Sequence, residues 1–288
     1  MITVVCDSAC DLWKDQVKEL KVEVLQFPFL LDGEEQEKPL VEPEDFDEYY
    51  AKLKKGAMPS TSLINEFVLE EYFEGILKKG NDILFIHFSS ALTSTFNSFP
   101  ALVDRLLLKY PERKFLVCDT LGVTMQAGIL VYDAVKKLNK GQSLEEVHAY
   151  IEDMKQRIAC YFGVDDLFHL KRGGRVSAAT AIAGTLLGIK PVLKCNDEGK
   201  IVKCATCKGR KGIIAKLIDM MNETGDAVAD YPILVMHGSC EEDAKILKEE
   251  VVKVVGTDAN VWIQPIGPTI GSHAGPNVLA LVFRAKHR

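Results

Sequence analysis

The chain has 288 residues, 47% hydrophobic and 26% charged, which excludes a disordered protein and leaves apolar material for two cores. Its formal net charge of −6 provides no basic field to hold nucleic acid or an anionic membrane surface. Eight cysteines read as reduced thiols of a cytoplasmic protein, and Cys204-x-x-Cys207 lacks the second ligand pair that a structural zinc requires.

From the N-terminus, the β-branched run Ile2–Cys6 predicts a strand where a secretory leader would otherwise lie. A short helix follows over Asp11–Leu20, then helices over Pro43–Lys54 and Asn65–Lys79, with Pro43 suited to a first turn and Gly56 to a stop. Buried strands are expected at Asp82–Phe88 and Lys114–Cys118, separated by a helix over Leu92–Tyr110 that Pro100 kinks or divides. Helices over Val123–Leu138 and Leu144–Gln156 complete an alternation that implies a parallel sheet with helices on both faces. The rhythm then changes. Ile189–Lys194 and Lys200–Ala205 flank the turn Asn196-Asp197-Glu198-Gly199 as an antiparallel hairpin. Strands at Ile233–His237, Val261–Gln264 and Val278–Phe283 alternate with helices over Gly212–Asn222 and Glu241–Val254. The expectation is two domains: a Rossmann-like α/β domain over residues 1–158 and an α+β sandwich over 159–288.

Phosphate-binding P-loop, dinucleotide, nucleophile-elbow and zinc-protease motifs are all missing. The sequence offers instead hydroxyl-rich loops where strands should end: Asp7-Ser8, Pro59-Ser60-Thr61-Ser62, and Ser89-Ser90 with Leu92-Thr93-Ser94-Thr95. Loops at the carboxyl ends of parallel strands converge on one crevice, and their hydroxyls suit a carboxylate or a phosphate. Helix capping accounts for the same residue types equally well. Two further clusters stand out. Leu170-Lys171-Arg172-Gly173-Gly174-Arg175-Val176-Ser177 is either an anion nest or a solvated basic loop. Gly271-Ser272-His273-Ala274-Gly275-Pro276 holds a histidine in a glycine-rich turn where backbone can approach closely.

Taken in order and spacing, these clusters resemble the DegV family of fatty-acid-binding proteins. The resemblance runs from Thr3 to Phe283. It is carried by Cys6-Asp7-Ser8-Ala9-Cys10-Asp11-Leu12, by the four later clusters, by Asp119-Thr120, and by Leu186-Leu187-Gly188-Ile189-Lys190-Pro191. It implies one long-chain fatty acid, of about C16–C18, in a tunnel between two domains, its tail contributing roughly 0.8 kcal/mol per buried methylene. It further implies a carrier rather than an enzyme, with no cofactor and no metal, that presents the bound carboxylate to a separate fatty acid kinase. Matched by position, Thr61, Ser62, Thr93, Ser94 and His273 would meet the carboxylate, with Ser94 standing where the family has glycine. Leu63-Ile64 replaces the family's Gln-Pro, and Asn277 its glycine after Gly-Pro. Arg172, Arg175, Lys208 and Arg210 form an expected docking patch for an acidic partner. The alternative is a substrate-binding subunit of a dihydroxyacetone-kinase-like phosphotransfer system, which would require a small polar pocket.

Overall fold

The computed structural model describes residues 1–36, 42–165, 167–177 and 188–288. Strands Glu23–Leu25 (β2), Ile2–Asp7 (β1), Asp82–His87 (β6) and Phe115–Asp119 (β7) form a wholly parallel sheet in that order. The apolar run of β6 reflects burial on both faces. Ile83 and Phe85 point into one core and Leu84 and Ile86 into another, as the period-two alternation of a strand requires. On the first face, helices Glu66–Lys78 (α3) and Phe99–Lys109 (α4) build an aromatic cluster, with Phe73 within 5.3 Å, ring centre to ring centre, of Phe85, Phe99 and Phe115.

The other face meets helix Met125–Asn139 (α5), which is buried almost all round in its first half. It packs on the parallel sheet and also on a second, six-stranded mixed sheet. That second sheet runs Ile201–Lys208 (β10), Ile189–Cys195 (β9), Ile158–Gly163 (β8), Leu279–Arg284 (β13), Ile233–His237 (β11), Val261–Pro265 (β12). Only β11 and β12 pair in parallel among its described strands. Helices Gly209–Thr224 and Glu241–Val255 cover its outer face around Ile213, Leu217, Leu247 and Val251. The layers are therefore helix, parallel sheet, shared helix, mixed sheet, helix.

Two expectations need correction. The helix expected from Leu92 begins at Phe99, and Pro100 lies in its first turn, where a missing N–H costs nothing because that donor has no intrahelical partner. Pro59–Thr61 (β5) is a strand of a small antiparallel sheet with Phe29–Leu31 (β3) and Glu34–Glu35 (β4). Strands of two or three residues are too short to carry a readable alternation. Helix Pro43–Lys54 (α2) closes over this sheet through Tyr49 and Tyr50. All eight cysteines are free, and Cys204 and Cys207 lie along β10. Residues 178–187, including Leu186-Leu187 and any helix that Ser177 would start, lie outside the described residues.

Candidate functional site

A narrow cavity, partly open to solvent, lies between the carboxyl ends of the parallel strands and the inner face of the mixed sheet. Most of its wall is apolar: Phe27 and Phe88 from the parallel side, Cys160, Phe162 and Ala280 from the mixed sheet, and Leu170, Ile266 and Ile270 between. Its polar lining comprises Thr61, Ser62, Thr93, Thr124, Arg175, Thr269 and His273. At the mouth Ser62 and Leu63 are exposed.

The centre of the polar end is a hydrogen bond of 2.8 Å between Thr61 Oγ1 and His273 Nε2. Thr61 ends β5, and His273 sits on the short helix Pro268–Ala274. The ring is seated by helix Phe168–Arg172 (α7) and the turn that follows it. A Cβ on Gly173 would lie 2.2 Å from His273 Nδ1, and a Cβ on Gly275 would lie 2.5 Å from the ring of His169. Each histidine thus packs on the other segment's glycine, which explains why the basic loop and the glycine-rich loop carry their glycines where they do. Burial pushes the His273 imidazole down to about 3, and Arg175, Arg172 and His169 push it the same way. It is neutral at physiological pH. Its Nδ1 is buried without a partner.

The two guanidinium groups are held by backbone carbonyls. Arg175 donates to Leu92 O from Nε (3.1 Å) and Nη2 (2.8 Å), and also to Gly173 O. Arg172 donates to Pro59 O at 2.9 Å. Neither has an acidic partner in these contacts, so the polar end of the cavity lies in a positive field around a neutral histidine.

A family model described as "Uncharacterised protein, DegV family" matches residues 1–286. The chain belongs to the DegV family. A DegV domain-containing protein of Clostridium perfringens is 38% identical to it over 277 residues, covering 96% of this chain and 95% of the relative. Among solved structures, a DegV family protein from Thermus thermophilus, described by its fatty acid binding, superposes with a TM-score of 0.84 at 27% identity and 99% coverage of both chains. DegV of Bacillus subtilis, described as a fatty acid binding protein, gives 0.82 at 27% identity, again with 99% of each chain covered.

In this DegV chain Thr61, Ser62, Thr93 and His273 converge on one cavity, as their positions in the motifs implied. Ser94 does not. It is exposed, and its carbonyl accepts from Asn97 N in the turn ahead of α4, because the chain there is a loop and not the first turn of a helix. Several hydroxyls of the motifs are structural. Ser89 donates to Gly199 O at 2.8 Å, tying the parallel sheet's loop to the hairpin turn of the mixed sheet, and Thr95 accepts from Ile64 N at 3.4 Å. The expected docking cations also divide. Arg175 lines the cavity, and Arg210 binds Asp243 at 2.7 Å and donates to Asn277 O. Arg172 is half-buried, and Lys208 is exposed. Sequence reading missed Thr124 and Thr269 as lining residues. Neither lies in a recognisable motif: Thr124 immediately precedes α5, and Thr269 lies on Pro268–Ala274. Among the described residues no helix is long and apolar enough to cross a membrane.

Proposed function

We propose that this DegV protein carries one long-chain fatty acid in the inter-sheet cavity and presents its carboxylate at the mouth to a partner fatty acid kinase. The observation that carries the reading is a cavity with mostly apolar walls in which the Thr61–His273 pair offers uncharged donors in a positive field. The fatty-acid-binding descriptions of the Thermus and Bacillus relatives support it.

The division of labour follows from the residues. An acyl chain of this length gains roughly 10 kcal/mol gross from burial, from which association and chain ordering subtract a large part. The head group needs donors, since a buried carboxylate without them is strongly disfavoured. Thr61 can accept from His273 Nε2–H through its hydroxyl oxygen, which leaves its own O–H free to donate to the carboxylate. That tautomer places a lone pair, not an N–H, on the unpartnered Nδ1 against Gly173, the cheaper of the two orphans. Thr93 supplies a second hydroxyl. Arg172 and Arg175 offset the charge without forming a full ion pair, so the acid remains releasable. Exposure of Ser62 and Leu63 at the same end suits presentation to a kinase that phosphorylates the carboxylate.

Mass spectrometry of an organic extract of the purified protein tests the first half: a C16–C18 acid in one-to-one ratio is expected. Recovery of a small polar ligand and no lipid would replace this reading with the phosphotransfer-subunit alternative. Acyl-phosphate formation by the kinase with ATP, dependent on the loaded protein, tests the second half.

A further inference from the structure

Away from the cavity, three side chains that the carrier function does not use come together at the edge of the parallel sheet. Cys118, His148 and Glu152 each offer a ligand atom, and these atoms all lie within 4.8 Å of one another. His148 and Glu152 are four residues apart on helix Leu144–Met154, which places them on one face. Cys118 comes from the edge strand β7 beneath that helix. The orientation of the histidine is fixed. Its Nε2 lies 3.0 Å from Val117 O, and since a carbonyl only accepts, Nε2 carries the proton and Nδ1 holds the free lone pair. A ring nitrogen donating to a backbone carbonyl while the other is left for a metal is the usual outer-shell arrangement of a ligating histidine. Lys155 holds Oε2 of Glu152 at 2.6 Å, leaving Oε1. A cleft lined by His148, Glu152, Asp119 and Lys155 gives access from solvent.

We propose that this triad binds one borderline divalent ion of the zinc class through thiolate sulfur, imidazole nitrogen and carboxylate oxygen, with a fourth position open to the cleft. A buried thiol selects against magnesium and calcium, which take oxygen ligands. Ligand atoms bound to zinc at about 2.0–2.3 Å in a tetrahedral set lie roughly 3.3–3.8 Å apart, so the present spacing closes with a shift of about an ångström. Coordination releases the Cys118 proton, which burial otherwise holds in place. The ion would pin the helix to the edge strand, whose last residue, Asp119, accepts from Ser90 N and Leu121 N at the base of the loop that carries Thr93.

The test is titration of metal-free, full-length protein with Co(II) as a spectroscopic probe and Zn(II) as competitor. One equivalent of Co(II) should bind with a near-ultraviolet sulfur-to-cobalt band that Zn(II) displaces. Cys118→Ser should abolish the band, and His148→Gln or Glu152→Gln should weaken binding at least tenfold. Lys155→Met, which removes a competing cation, should tighten it. Circular dichroism on each variant establishes that it is folded, and Cys204→Ser serves as the control for the Cys204/Cys207 pair. The proposal is overturned if folded Cys118→Ser retains the sulfur band, if Cys204→Ser abolishes it, or if the wild-type protein shows no band at all.

Discussion

The segment from Gly267 to Gly275 carries a buried titratable contact at each end, and the two ends differ in what surrounds them. At one end Asp11 Oδ1 accepts from Gly267 N at 3.0 Å, while Oδ2 is buried without a partner. At the other end His273 meets Thr61, while Nδ1 is buried without a partner. Burial acts on both in the same sense, towards the neutral form, raising Asp11 to about 7 and lowering His273 to about 3. Asp11 has the Thr124 hydroxyl beside it, whereas His273 has Thr61 beside it and the guanidinium groups of Arg175 and Arg172 nearby. Burial therefore sets the protonation state in both places, and the neighbours differ: cations surround the histidine, and a backbone N–H meets the aspartate.

The largest expected effect uses pH to separate the two ends. Asp11 binds its proton more tightly folded than unfolded, so its contribution to stability is full below about pH 4 and is lost as pH rises to about 7. Asp7, raised to about 7 by the same kind of burial, adds to that slope. His273 has the opposite sign: the unfolded chain takes up its proton first, so its contribution is present above about pH 6.5 and is lost as pH falls towards 3. At about 1.36 kcal/mol per pK unit, each is worth up to about 4–5 kcal/mol. Urea unfolding between pH 4 and 7 should show Asp11→Asn flattening the decline of stability with rising pH and His273→Gln steepening it. Parallel curves for both variants would show that the two groups are not held neutral as described.

Next in size is the packing beneath the ring. Gly173→Ala puts a methyl where His273 Nδ1 sits. It should cost about 1–3 kcal/mol of stability and lower fatty-acid affinity by more than tenfold in calorimetry. Thr61→Val removes the hydroxyl that relays the histidine's donor to the head group, and an expected loss of about 1.5–3 kcal/mol corresponds to roughly ten- to a hundredfold in affinity. Thr93→Val is the mildest of the set, lowering affinity by about 1 kcal/mol while leaving thermal stability near wild type. Unchanged affinity in the Thr93 variant would remove that hydroxyl from the head-group site and leave Thr61 and His273 to form it.

Much of the scaffold was legible before any coordinates. Ile83 to Ile86 alternate between two cores, so their unbroken apolar run reads as a central parallel strand, and the hairpin around Asn196–Gly199 follows from turn chemistry. Asn65 and Ser143 occupy the cap positions that their residue types favour, accepting from Phe67 N and Glu146 N. The site was legible only in part. Thr61, Ser62, Thr93, Ser94 and His273 all came from motif position; the structure lines the cavity with all of these except Ser94, which is exposed. Arg175, expected in a docking patch, is half-buried at the cavity wall and donates to the carbonyl of Leu92, 83 residues away, a contact that local sequence does not reveal.

Local chemistry along the chain decided where strands, turns and caps fall, because backbone geometry and side-chain period act over a few residues. It also placed the hydroxyls and the histidine of the proposed site in motifs that can be read along the chain. Which hydroxyls face the cavity, and whether an arginine serves its interior or its exterior, was left to tertiary packing. Those outcomes depend on contacts between residues far apart in sequence. The seating of His273 on Gly173 and of His169 on Gly275 has no signature in either segment alone and arises only when the two are pressed together.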